Sequence, residues 1–150
     1  MDCIAKTGTL LASVVIVGCN TTQPASPSAN YVDPSDGAAP YSRSVRIGAT
    51  VYLSGVLGSR DGRLVAGGIG PETDQALNNV EAGLADHGAT LKDVVKCQVF
   101  LADIGDFQAM NTVYKARFQA PRPARTTVAV DLVAGARIEI DCIAALRDEL

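Results

Sequence analysis

The chain is 150 residues long, 47% hydrophobic, and free of extended low-complexity tracts, which is the right size for one compact domain. Its formal charge is −3 and its pI about 5.0, so the summed field repels phosphate backbones and argues against nucleic acid as a partner. One histidine, His87, and four cysteines without a CxxC pair supply no recognisable zinc or two-histidine iron site, and a metal-free function is expected.

At the start of the chain, Lys6 precedes an apolar run from Leu10 to Val17 that is too short to span a bilayer and reads as the core of a signal peptide over residues 1–18. The run ends in Ile16-Val17-Gly18-Cys19, which resembles the lipobox of bacterial lipoproteins and implies lipidation at Cys19. The plainer alternative is an ordinary apolar N-terminus with Cys19 as one more thiol. Residues 19–39 contain "TTQPASPSAN" and "DPSDGAAP", a composition that buries too little apolar surface to offset chain ordering. A flexible tether is expected there, with the folded domain over residues 40–150. The protein would then be lipid-anchored in a bacterial envelope and face the periplasm, or be cytoplasmic if the signal reading fails. Cys97 and Cys142 sit in strand-like runs as small apolar residues, and their pairing is left open.

Within the domain, Arg46 to Thr50 separates two apolar runs and suggests a hairpin, its second strand being Thr50 to Gly55. Ala76, Leu77, Val80 and Leu84 recur at helical spacing between Pro71 and His87, with Gly88 just beyond. From Asp93 to Ala102, Val95, Cys97, Val99 and Leu101 alternate against Val94, Lys96, Gln98 and Phe100, the pattern of a strand. Phe107, Met110, Val113, Tyr114 and Phe118 mark a second helix with Asp106 as its N-cap. Two further strands, Ala124 to Leu132 and Arg137 to Leu146, look like a hairpin turning at Gly135. The order ββαβαββ predicts an α+β fold, one mixed sheet with both helices on one face. The other face mixes polar and apolar residues, which suggests self-association.

Three charges interrupt the last two strands. Arg125 follows Pro121-Arg122-Pro123-Ala124, so its backbone is pre-set by proline, and a fixed guanidinium suits bidentate capture of a carboxylate. The simpler reading is an edge charge, solvated or paired with Asp131. Glu139 and Asp141 share a strand face, where one carboxylate has the chemistry of a proton shuttle; the simpler reading of Glu139 is a solvated edge or an interface ion pair, and Asp141 reads as structural. Ser54 before Gly55 has the chemistry of a nucleophile, but His87 at a helix end offers no triad and reads as a dipole partner. Tyr41 after Pro40 and Asn111 on the second helix are pocket candidates with ordinary surface alternatives. "GGIGPET" at Gly67 to Thr73 lacks the lysine and spacing of a phosphate loop and reads as a tight turn.

In their order along the chain, "PYS" at Pro40 to Ser42, "VYLSG" at Val51 to Gly55, "TDQALNNV" at Thr73 to Val80, "DVVKCQVFLADIGDF" at Asp93 to Phe107, "MNTVY" at Met110 to Tyr114, "PAR" at Pro123 to Arg125 and "IEIDCIA" at Ile138 to Ala144 resemble the RidA/YjgF family of enamine and imine deaminases. The resemblance implies a chorismate-mutase-like fold, a homotrimeric barrel with ligand clefts between subunits, and hydrolysis of small 2-imino acids without a cofactor. It implies Arg125 as the carboxylate clamp and Glu139 as the group that positions water or transfers a proton. Tyr41, Ser54, Gly55 and Asn111 would shape the cleft. Thr127 stands where many members carry cysteine, its backbone N–H available to the carboxylate. Arg43 and Val56 stand where glutamines are usual, at the rim of the cleft. A non-catalytic relative that binds small carboxylates or acts as a chaperone is the alternative.

Overall fold

The computed structural model describes residues 27–33 and 39–146; the segment read as a signal peptide, Cys19 and most of the expected tether lie outside the described residues. The chain first forms β1 (Ala29–Val32), then β2 (Ser44–Ile47) and β3 (Thr50–Leu53), joined by a tight turn in which Gly48 takes φ 57°. Short strands β4 (Val56–Leu57), β5 (Ser59–Arg60) and β6 (Arg63–Leu64) follow. The helix α1 (Ile69–Ala85), strand β7 (Val94–Leu101), helix α2 (Phe107–Arg117), strand β8 (Ala124–Ala129) and strand β9 (Ile138–Ala145) complete the α+β, chorismate-mutase-like fold. The main sheet runs β1-β2-β3-β9-β7-β8, with β4 also on β9, while β5 and β6 make a separate hairpin.

The core lies between one sheet face and the helices. From β9, Ile138, Ile140, Cys142 and Ala144 alternate into it, fully buried, as strand periodicity requires. From α1, Ala76, Leu77, Val80 and Leu84 form the facing stripe. The helix stops because Gly88 adopts φ 70° while the N–H groups of Gly88 and Ala89 return to the carbonyls of Ala85 and Leu84. Directly opposed on adjacent strands, Cys97 and Cys142 are joined as a buried disulfide that ties β7 to β9.

Several expectations need correction. Residues Ala29–Val32, assigned to the tether, pair antiparallel with β2, because Tyr31 and Val32 suit a strand and the edge of β2 offers free ladder groups. The segments around Arg125 and Glu139 are not a hairpin: β7 lies between them, pairing parallel with β8 and antiparallel with β9. The stretch after Ala129 therefore crosses over instead of folding back. In β7 the expected alternation is broken by a bulge between Val94 and Lys96, which turns Val94 to the core and leaves Val95 exposed. Asp106 does not cap α2 with its side chain; it accepts from Arg137 Nη2 at 2.7 Å, and Asp103 instead caps the preceding turn through Gly105 N–H.

Candidate functional site

The break between β3 and β4 builds one half of the site. β3 pairs with the C-terminal half of β9 and β4 with its N-terminal half, so Ser54 and Gly55 make the step between the Tyr52–Ile143 and Val56–Ile140 pairs, two residues from the level of Glu139. Glu139 lies between buried Ile138 and Ile140 and therefore projects from the opposite, helix-free face, flanked in register by Leu57 and Phe100. Its carboxylate rests against Gly55: a Cβ there would sit 2.9 Å from Glu139 Cδ and collide with Oε1. Only glycine leaves room for this approach. Asp141, two residues on, accepts from Gln98 Nε2 at 3.2 Å and is engaged within the sheet.

An open groove of about 390 Å³ begins at this step, lined by Tyr41, Arg43, Ser54, Gly55, Val56 and Asn79 among others. Ser54 holds the Tyr41 segment in place, its Oγ donating to Ser42 O at 2.7 Å and its N–H to Arg43 O at 3.0 Å. That employment, and the distance-fixing bond of His87 Nε2 with Ser44 Oγ at 2.7 Å, leave Ser54 without a histidine to activate it. Arg43 reaches Asp86 Oδ2 at 3.3 Å, so its charge at the rim is already balanced. Asn79 donates to Leu57 O and Ser59 O and fixes the far wall, a task the sequence pattern does not announce.

Arg125 belongs to a second place. On β8 it pairs in register with core-facing Cys97, so its side chain leaves the helix side of the sheet and runs along α2. Phe107, Met110 and Tyr114, spaced to share one face of α2, receive it. The guanidinium carbon stands 4.6 Å from the Tyr114 ring centroid and 5.7 Å from that of Phe107, and Nη1 is 3.8 Å from Met110 Sδ. Arg43, Arg117 and Arg137 each meet a carboxylate, whereas Arg125 meets none among the described residues. Thr127 shares this face, and its hydroxyl is buried with no hydrogen-bond partner among the described residues. The Tyr114 hydroxyl is likewise buried and unpartnered, and burial pushes it up to about 12, partly opposed by the nearby Arg125 charge. Asn111 is buried on α2 beside Met110.

The predicted residues thus fall into two sets. Tyr41, Ser54 and Gly55 line the groove, with Glu139 against Gly55 on the helix-free face; Arg125, Thr127 and Asn111 gather at β8 and α2. Within one chain, Arg125 and Glu139 are two strand spacings apart across the sheet, about 10 Å, and three residues, about a further 10 Å, apart along it, on opposite faces. The anionic half offers a carboxylate against Gly55, beside an open groove; the cationic half offers a guanidinium that meets no acid among the described residues, with Nη1 on Met110 Sδ, beside a hydroxyl unpartnered among the described residues.

A fold of this topology carrying these two half-sites defines a class, and comparison with known proteins identifies it. The family model described as endoribonuclease L-PSP matches residues 33–146. The 2-iminobutanoate/2-iminopropanoate deaminase of Dermatophagoides farinae is 44% identical over 110 residues, covering 71% of this chain and 86% of that protein. Its counterpart in Capra hircus is 46% identical over 108 residues, covering 70% of this chain and 79% of that protein. The crystal structure of RidA from the Antarctic bacterium Psychrobacter sp. PAMC 21119 superposes with a TM-score of 0.70 at 33% identity, covering 81% of this chain and 98% of that one. The chain belongs to the endoribonuclease L-PSP family, that of the RidA/YjgF deaminases.

Proposed function

We propose that the protein hydrolyses small 2-imino acids, and their 2-enamino tautomers, to 2-oxo acids and ammonia at a cleft formed between copies of the chain. The observation that carries this reading is the separation of Arg125 and Glu139 onto opposite faces of one sheet. A second copy placing its β8 edge over Glu139 would bring a carboxylate clamp to a proton-transfer group. The exposed Tyr52 and Val95 on the helix-free face suit burial in such an assembly, as in a trimeric barrel.

The chemistry follows from the two halves. The Arg125 fork would take the substrate carboxylate by two parallel N–H···O bonds, fixing the adjacent C=N carbon in the cleft. Glu139 would accept a proton from water as its oxygen bonds to that carbon, and the C=N π electrons move to nitrogen. The same carboxyl returns that proton to nitrogen, giving a carbinolamine, and then carries the hydroxyl proton to nitrogen as the C–N bond breaks, so that ammonia leaves as the carbonyl forms. An enamine enters after protonation at its terminal carbon. No step requires a metal or a cofactor. Val56 and Leu57, beside Gly55, would favour short aliphatic side chains.

For location, we read the protein as exported and lipid-anchored through Cys19. The Cys97–Cys142 disulfide supports an oxidising compartment, since cytosolic thiols are ordinarily kept reduced. Mass spectrometry of membrane-extracted protein should find a diacylglyceryl group on Cys19; a soluble product retaining Met1 would defeat this part.

The test of the activity is turnover of 2-iminobutanoate generated in situ, followed as 2-oxobutanoate, with Arg125→Ala as control. The expected result is hydrolysis above the spontaneous rate that Arg125→Ala abolishes while the oligomer persists. A folded wild-type protein that binds 2-oxobutanoate but turns over no imine would instead identify a non-catalytic carboxylate binder.

A further inference from the structure

The guanidinium of Arg125 is held by its face, and its one edge contact among the described residues is the weak acceptor Met110 Sδ, 3.8 Å from Nη1. Arg43, Arg117 and Arg137 are each fixed by an acidic partner, which occupies N–H groups. Arg125 has no acidic partner among the described residues and lies instead 4.6 Å above Tyr114 and 5.7 Å from Phe107, with Met110 between them along α2. Cation–π stacking restrains the guanidinium plane without consuming its in-plane donors. The support is itself rigid: Tyr114 is 3% exposed and packs on Phe118 with ring centroids 4.6 Å apart. Its hydroxyl has no hydrogen-bond partner among the described residues, so it contributes no hydrogen bond to holding the ring in the free protein.

We infer that Tyr114 is a positioning residue for Arg125, acting through its aromatic ring, with Phe107 as the second wall of an aromatic seat that keeps the guanidinium fork free for a substrate carboxylate. The inference rests on the carboxylate-clamp role proposed above. An acid at position 114 would also hold the arginine, but it would compete with the substrate for the same N–H groups. The aromatic seat orders the cation and leaves it unpaired. The helix face that the sequence presents as an ordinary core stripe thus serves the ligand as well as the core.

The test compares Tyr114→Leu, Phe107→Leu and the conservative Tyr114→Phe. Removing the ring at 114 should raise KM for 2-iminobutanoate roughly 5- to 30-fold, the fold-change expected for a partly desolvated cation–π contact, with kcat changed less than threefold. Tyr114→Phe should restore the wild-type KM, and Phe107→Leu, at a half-buried position, should give a smaller rise in the same direction. The readout independent of turnover is the Arg125 side-chain Nε–Hε resonance, displaced upfield by the ring current in wild type and Tyr114→Phe and returned towards the free-arginine position in Tyr114→Leu. Dissociation constants for 2-oxobutanoate should follow KM. If the protein proves non-catalytic, these two measurements still decide the inference while the hydrolase reading alone fails. A Tyr114→Phe variant as impaired as Tyr114→Leu would overturn it in favour of the hydroxyl. So would an Arg125 resonance that is unmoved in a folded Phe107→Leu and Tyr114→Leu pair.

Discussion

Replacing Gly55 by alanine tests the Glu139 half of the site without touching the Arg125 half. Gly55 does not use left-handed backbone, so alanine is conformationally permitted and the effect is confined to what its methyl group meets. That group is the Glu139 side chain: Cδ would lie 2.9 Å and Cγ 3.2 Å from the new Cβ, with Oε1 closer still. Glu139 is half-buried and its carboxylate end is free to rotate, so the clash should be relieved by moving the carboxylate by about 1 Å while the sheet stays intact, at a stability cost of about 1 kcal/mol or less. Catalysis is less tolerant. A misplacement of about 1 Å costs on the order of 100-fold, equivalent to about 2.7 kcal/mol in the barrier. Steady-state hydrolysis of 2-iminobutanoate should show kcat lowered on the order of 100-fold with KM within threefold of wild type, because the proposed carboxylate clamp, Arg125, is elsewhere. A melting temperature within a few degrees of wild type would establish that the fold is unaffected. Wild-type kcat in Gly55→Ala would refute the reasoning, since it would mean that Glu139 either does not act or does not act from this position.

Other outcomes follow from the same structure. Asp141→Asn should leave kcat within twofold, because Asp141 is engaged with Gln98 and not with the groove; a 100-fold loss would transfer the proton-transfer role to Asp141. Cys97 and Cys142 close a loop 45 residues apart in sequence, so their replacement by alanine together should cost about 4 kcal/mol and lower Tm by about 10–20 °C, read by calorimetry; an unchanged Tm, or two free thiols in the unreduced protein by alkylation and mass spectrometry, would contradict the disulfide. Tyr114 is raised from an ordinary 10.0 to about 12, so burial of its neutral phenol favours the folded state below pH 10, and that contribution is lost as pH rises through 12. Denaturant unfolding between pH 9 and 12 should therefore show a steeper alkaline loss in wild type than in Tyr114→Phe, and parallel curves would contradict it.

Much of the fold is legible in the sequence because both periodicities are strong. The α1 stripe from Ala76 to Leu84 and the alternation from Ile138 to Ala144 each place their residues in the core as the pattern requires. What the pattern does not carry is strand adjacency. Two runs separated by a glycine-containing turn look like a hairpin, yet the insertion of β7 between β8 and β9 depends on long-range pairing. The bulge at Val94 to Lys96 is hidden for the same reason, since one extra residue inverts the alternation upstream of it. At the site, family resemblance names Arg125, Glu139 and Gly55, and the geometry supplies the reason for the third: the carboxylate needs the missing side chain. The aromatic seat of Arg125 escapes sequence reasoning because Phe107, Met110 and Tyr114 have the spacing of any buried helix face. The Cys97–Cys142 bond escapes it because directly opposed register cannot be read from two separate runs.

In the proposed site Arg125 of one copy serves Glu139 of another, and subunit complementation measures that directly. Arg125→Ala and Glu139→Ala chains, each inactive alone, are mixed in equal amounts, unfolded, and refolded together. In a closed ring with random assembly, about a quarter of the interfaces combine an intact Arg125 with an intact Glu139, so the mixture should recover up to about a quarter of the wild-type imine hydrolysis, in proportion to mixed oligomers counted by native mass spectrometry. Mixed oligomers that form in the expected numbers and remain as inactive as the separate variants would contradict a site shared between copies.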